Sequence, residues 1–192
     1  MLVGIFRSVV LLLTGLVYYG LDFWLIRHYE RQRAGEGTGR SWGYTIFMIG
    51  FWALLVIQPI LFPGLGLYTD ALWGLLAQGV GVLSVVGGLA LHWWARSHLR
   101  HFYVEDVQFQ DGQYLVDTGP YRLVRHPVFT SFFMIALGLV LVNPAVTTLV
   151  MLLYAFVDFS IAARREEQLL TRELPEYAGY MKRTGRFLPK WR

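Results

Sequence analysis

The 192-residue chain has no cysteine, which removes disulfides, thiolate nucleophiles and cysteine-ligated metals together. It is short of charge as well. Charged residues make up 16% and hydrophobic residues 55%, against about 25% charged in ordinary soluble domains. Histidine is scarce, with five in all, too few for a membrane non-haem iron site. His92, His98 and His101 cluster without a close acidic partner, so they are read as part of a helix end and no metal is expected. No Gly-x-Gly-x-x-Gly follows a strand, which excludes a Rossmann domain, and no serine nucleophile motif occurs. The net charge of +4 does not point to nucleic acid. Nearly all charges lie between or after apolar runs, where anionic lipid headgroups are the natural partner.

What the chain does have is apolar length. Mean hydropathy is +0.44, and five apolar segments can be marked: about Val3 to Ile26, Gly43 to Phe62, Ala71 to Ala95, Val128 to Val142 and Ala145 to Ala163. The first three approach or exceed the ~20 residues that span hydrocarbon, and the fourth is short. Asn143-Pro144 is a turn signal, with Pro144 suited to the first turn of a new helix, so the last two segments read as a tight helical hairpin. The fold expected is an all-α integral membrane protein of five transmembrane helices in one domain. Residues 1–95 would supply three helices and 96–192 the functional half.

The first segment reads as a retained anchor, because its apolar run is long and no small-x-small cleavage site follows. Basic residues set the orientation. Arg27, Arg31, Arg33 and Arg40 lie in the first connection, and Arg96, Arg100, Arg122 and Arg125 in the third. The second connection, from Pro63 to Thr69, has none, and only Arg7 breaks the pattern. The positive-inside rule then puts the third connection and C-terminal segment in the cytoplasm and the N-terminus outside a cell or inner membrane. Trp24, Tyr68, Trp93 and Trp94 fall where an aromatic belt belongs. Ala77, Gly81, Ser84 and Gly88 recur at helical spacing, a face on which helix backbones approach closely.

Two segments carry chemistry. In the third connection, Val107 to Gln110 alternates ahead of Asp111-Gly112, with Tyr114-Leu115-Val116 following, the pattern of a short hairpin or extended flap. Pro127 starts the fourth helix and sets Arg125 and His126 at its N-terminal end, where unpaired N–H groups, the dipole and an arginine fork favour a carboxylate. Arg164-Arg165-Glu166-Glu167 answers from the end of the fifth segment, at the same face. Cations and acids so placed suit a small zwitterion such as S-adenosylmethionine. The bland alternative is contact of Arg125 and His126 with lipid headgroups. Asp158 and Arg165, seven residues apart, share a helix face, and Glu166 is offset from it by less than a quarter turn. Asp158 is either functional or half of a structural ion pair, and Glu166 and Glu167 are either functional or a solvated helix end. Tyr177 to Arg183 is amphipathic and basic, fit to cover a pocket or lie in the interface.

Gly119-Pro120-Tyr121, Arg125-His126-Pro127, Asn143-Pro144, Glu166-Glu167, Tyr177-x-x-Tyr180 and Thr184-Gly185-Arg186-Phe187-Leu188-Pro189 occur in that order. From about Asp111 onwards the chain resembles the isoprenylcysteine carboxyl methyltransferase family, within a superfamily that includes phospholipid N-methyltransferases. The resemblance implies a cytoplasmic pocket for S-adenosylmethionine, with S-adenosylhomocysteine as product. Tyr121, Arg125, His126, Pro127, Val128 and Phe129 would contact the cofactor, Leu115 and Val116 would line the pocket, and Gln108 would join them. Of Glu166 and Glu167 one would contact the cofactor, and the spacing favours Glu166. Arg165 and Glu166 would be catalytic, with Arg164, Arg165 and Asp158 on the substrate side. The chain departs from the family pattern in having Phe129 for the usual tyrosine, Leu174-Pro175 for Phe-Gly, and Ala162 where the substrate-handling arginine belongs.

The function expected is methyl transfer to a lipophilic acceptor reached from the bilayer, an isoprenylcysteine-like carboxylate in the first instance. Such a carboxylate needs no general base, so catalysis would be alignment and desolvation. An amine acceptor such as phosphatidylethanolamine would need one, and Glu166, Glu167 or His126 is the candidate. The rival readings are a non-enzymatic membrane protein that uses the small-residue face, and an NADPH-dependent reductase by analogy of fold.

Overall fold

The computed structural model describes residues 2–29, 42–67, 72–99 and 114–190. Within them every regular element is helical: α1 (Leu2–Tyr29), α2 (Trp42–Leu61), α3 (Leu72–Leu99), α4 (Pro127–Val142), α5 (Val146–Glu173) and the short α6 (Tyr177–Arg183). Among the described residues three helices are long and apolar enough to cross a membrane, over Gly4–Tyr29, Leu72–Leu99 and Val146–Glu173. Shorter apolar helices run over Ile49–Leu61 and Pro127–Val142. Large side chains such as Leu13, Phe23, Leu83 and Phe156 point outward, the inverse of a soluble core and what an apolar solvent permits. The chain is an all-α membrane protein. The expected flap, Gln108 included, lies largely outside the described residues.

Helix α5 is ten residues longer than its apolar run. Arg164 to Glu173 are good helix formers without glycine or proline, and the helix stops only where Pro175 forces Leu174 into extended backbone. The four residues Arg164 to Glu167 are thus helix interior. A 28-residue helix is roughly 42 Å long and a 16-residue one roughly 24 Å, so α5 overshoots α4 and carries its acids to the level of α4's start. At the other end α5 begins at Val146, not at the proline expected to open it. The Pro144 carbonyl is taken by the N–H of Leu67 at 2.8 Å, and the Thr148 hydroxyl accepts from the N–H of Ala145 at 3.3 Å. Gln58 closes this end. Its side-chain carbonyl accepts from Asn143 at 2.9 Å, and its amide donates to the Phe62 carbonyl at 2.9 Å.

The small-residue face of α3 packs on α4. A Cβ on Gly81 would stand 2.7 Å from the Gly138 carbonyl oxygen, one on Gly138 2.6 Å from that of Gly81, and one on Gly88 2.9 Å from that of Ser131. The Ser84 hydroxyl donates to the Met134 carbonyl at 2.8 Å. Absent side chains let the backbones touch, which is how helices gain contact where lipid offers no hydrophobic drive. Helix α1 lays Arg7, Leu11, Thr14, Asp22 and Leu25 inward, and Asp22 pairs with Arg96 of α3 at 3.5 Å in the buried interior.

Gly138→Val should lower the stability of the α3–α4 crossing by about 1–3 kcal/mol, read as an earlier midpoint in detergent unfolding. A Cβ on Gly79 would meet nothing within 4 Å, so Gly79→Ala should leave the midpoint unchanged or raise it.

Candidate functional site

The site is assembled at the end of the bundle where α3 finishes, α4 begins and α5 overshoots. A 3-10 turn over Gly119–Arg122 leads into it. Gly119 takes φ +57°, and a Cβ there would lie 2.3 Å from the His98 ring, so only glycine lets this turn press against the end of α3. Tyr121 is buried with Ala95 and Val128, and Val116 packs against them. Leu115 joins the Leu174, Tyr177 and Tyr180 cluster, and the Tyr180 hydroxyl donates to the Tyr121 carbonyl at 2.6 Å. Burial pushes both α6 phenols well above the ordinary tyrosine range, so Tyr177 and Tyr180 stay protonated.

Glu167 is the centre. It continues the inward stripe of α5 formed by Thr148, Ala155 and Ala163, and its side chain is 8% exposed. One carboxylate oxygen accepts from Arg125 Nε at 2.8 Å, His126 Nε2 at 3.2 Å and Arg186 Nε at 3.1 Å. The other accepts from Arg186 through Nε and a terminal nitrogen. Arg125 spends another nitrogen on the carbonyls of Met181 and Thr184. Its Nε and one terminal nitrogen are thus committed within the protein.

His126 lies between the two acids. Nδ1 is 3.3 Å from Glu166 and Nε2 3.2 Å from Glu167. Each ring nitrogen faces a carboxylate, so both contacts are hydrogen bonds only when the ring carries two protons. Burial opposes that charge, but the hydrogen bonds and charges of Glu166 and Glu167 outweigh it and raise the pKa above the ordinary 6.5. With the ring charged, three cations (Arg125, His126, Arg186) stand against two anions, a surplus of one positive charge. Glu166 is the rim of the cluster, 39% exposed, with a carboxylate open to solvent.

The backbone at the start of α4 adds donors. His126 caps the helix without a side-chain cap bond, and Pro127 occupies the first turn, so the N–H groups of Val128 and Phe129 have no carbonyl inside the helix. From His126 a run of ring contacts descends into the bundle: Phe129 at 5.4 Å, then Phe159 at 5.0 Å, Phe132 at 4.8 Å and His92 at 5.4 Å between centroids. His92 is buried against Ser131, Nδ1 to hydroxyl 3.3 Å, while His98 contacts the Trp94 carbonyl at 2.9 Å.

Of the residues singled out in the sequence, the structure brings together Arg125, His126, Glu166 and Glu167, with Pro127, Val128 and Phe129 beside them and Tyr121, Leu115 and Val116 as their support. It does not bring Asp158, Arg164 or Arg165 into the cluster. All three are exposed on α5. Arg165, two residues from Glu167, lies roughly 160° around α5 from it. Gln108 lies outside the described residues. Arg186 receives no role from the sequence, although it stands inside the Thr184–Pro189 motif. The available signal is a lone arginine after a glycine, downstream of an unmatched pair of acids.

Residues 80–172 match the model of the isoprenylcysteine carboxyl methyltransferase family. The chain is 29% identical over 143 residues to protein-S-isoprenylcysteine O-methyltransferase of Saccharomyces cerevisiae, covering 70% of this chain and 58% of the yeast protein. It is 28% identical over 145 residues to the nickel-cobalt-cadmium resistance protein NccN of Alcaligenes xylosoxydans xylosoxydans, 74% of this chain and 64% of that one. A cobalt-zinc-cadmium resistance protein, CzcN of Cupriavidus metallidurans, is 35% identical over 78 residues, 40% of this chain and 36% of that one. The chain thus spans less than two thirds of the length of each of these relatives.

Because the folded pKa of His126 is raised, its contribution to stability is complete below pH 6.5 and is lost as pH rises through the folded value. Thermal unfolding in detergent should therefore show stability falling on the alkaline side of 6.5, and His126→Ala should flatten that limb.

Proposed function

From the match of residues 80–172 to the isoprenylcysteine carboxyl methyltransferase family, we propose that the chain transfers a methyl group from S-adenosylmethionine to a lipophilic acceptor drawn from the bilayer. The observation that supports this most is the pairing of opposite electrostatic seats within one cluster. Glu166 offers an open carboxylate for an ammonium. The surplus positive charge and the unpaired N–H groups of Val128 and Phe129 favour a carboxylate. A zwitterionic amino-acid end fits that donor set. When bound, S-adenosylmethionine supplies a methyl already activated by its sulfonium.

The work of the protein is then to bind, orient and exclude water. Glu166 and His126 hold the polar end, Pro127, Val128 and Phe129 border it, and Tyr121, Leu115 and Val116 keep the α4 start in place. The rings of Phe129, Phe132 and Phe159 make an apolar wall on the bilayer side, against which an acceptor is desolvated before reaction. An isoprenylcysteine-like carboxylate is the acceptor class we propose first. It is anionic at neutral pH and needs alignment alone. Arg165 and Arg164, outside the cluster on α5, would meet such an anion at the membrane surface, with Asp158 one to two turns deeper.

We further place all five apolar helices within the membrane, α4 tilted or only partly crossing. The site faces the cytoplasm, where a water-soluble methyl donor is available, and the N-terminus lies outside. The exposed basic residues around α6, Lys182 and Arg183 among them, would then rest on anionic headgroups.

Calorimetry on protein reconstituted in lipid should show micromolar binding of S-adenosylhomocysteine, weakened at least tenfold by His126→Ala and by Glu166→Ala. Absence of binding to the folded protein overturns the reading. Transfer of radiolabel from S-adenosylmethionine separates acceptors. Label in a base-labile ester of a prenylcysteine analogue supports the carboxylate, and label in headgroup amines of a phospholipid extract supports an N-methyltransferase.

A further inference from the structure

The segment after α6 has no regular structure of its own, yet it is fastened to the site along its length. Val124 and Gly185 form a parallel bridge. The N–H of Arg125 donates to the Gly185 carbonyl at 2.9 Å, the N–H of His126 to the Arg186 carbonyl at 3.1 Å, and the Thr130 hydroxyl to the Phe187 carbonyl at 2.9 Å. Gly185 is obligatory, since a Cβ there would fall 1.7 Å from the Leu188 carbonyl oxygen. The Phe187 ring meets Phe133 edge-on at 5.0 Å and His126 at 6.0 Å.

Arg186 grips the site twice. Its carbonyl holds the backbone of His126, while its guanidinium takes both oxygens of Glu167, the side-chain partner of the same histidine. A bidentate fork fixes the plane of a carboxylate as well as its charge. Glu167 is buried with both oxygens engaged, and Glu166 is left as the rim acid of the pair.

We propose that Arg186 is a positioning residue, a latch that orients His126 through Glu167 and makes residues 184–187 a built part of the methyl-donor site, with Glu166 alone of the two acids meeting the ligand. The proposal rests on the methyl-donor reading for the ligand's identity, but the latch itself can be tested without any ligand.

The groups facing His126 are Glu166 and Glu167 of α5, Arg125 beside it, Arg186 of the latch and Phe129 of α4, with Tyr177 of α6 behind the acids. Titration of His126 by NMR of ring-labelled protein in nanodiscs reads the latch directly. Arg186→Gln removes a cation and should move the His126 midpoint up. Glu167→Gln removes an anion and should move it down. General loosening of the structure would send both down toward 6.5, so a downward move in Arg186→Gln counts against the latch. In parallel, Arg186→Gln should weaken S-adenosylhomocysteine about tenfold and raise KM for the donor with kcat held within about threefold. Arg186→Lys, which keeps the charge and loses the fork, folds as a milder change and should fall between. If Arg186→Gln and Arg186→Lys leave both the His126 midpoint and the ligand affinity where they are in the wild type, the latch is overturned. If His126 shifts as expected but the wild type binds no S-adenosylhomocysteine, the latch stands and the methyl-donor reading fails.

Discussion

A buried carboxylate among three cations is the constraint on which the functional half of this protein is built. Glu167 lies where a long apolar helix emerges from the bundle, and an anion there is costly unless its hydrogen-bonding capacity is filled. Arg125, His126 and Arg186 fill it from two separate stretches of chain. Buried ion pairs add little net stability, yet loss of one partner is expensive, because the others are left as uncompensated charge. Such a cluster works as a specifier of arrangement. It admits one disposition of the α4 start, the α5 end and the segment after α6.

Much of the framework is legible in the sequence because it obeys simple periodicities. Apolar length marks the helices, Asn143-Pro144 marks the hairpin, and the spacing of Gly81, Ser84 and Gly88 marks the face that meets α4. Helix ends are less legible. Hydropathy falls off at Ala163, but helix propensity carries α5 on to Glu173, so the end of an apolar run is not the end of a helix. Pro144 misleads for a different reason. The partner that takes its carbonyl, Leu67, is 77 positions away in the sequence, and no local pattern announces it.

The site divides in the same way. Arg125 and His126 stand out because Pro127 makes a helix start visible. Glu166 and Glu167 stand out as a pair, but the distinction between them depends on which one continues the stripe of Ala155 and Ala163, and that becomes readable only once α5 is known to run through. Counting seven residues puts Arg165 on the helix face of Asp158 and says nothing of Glu167. Two residues from Glu167, it faces the other way. Arg186 is invisible as a functional group because nothing local ties it to an acid nineteen positions earlier.

The parallel bridge between Val124 and Gly185 also bears on how the protein is made. Residues 184–187 leave the ribosome after every helix they bind. Until they arrive, Glu167 lacks its Arg186 partner and the backbone donors of Arg125 and His126 lack their acceptors. The helices can insert and pack in that interval, but the cluster cannot close. Chain order alone therefore puts the last polar contacts of the cluster after all the helices they join. A chain interrupted before those contacts would be a membrane protein without a site.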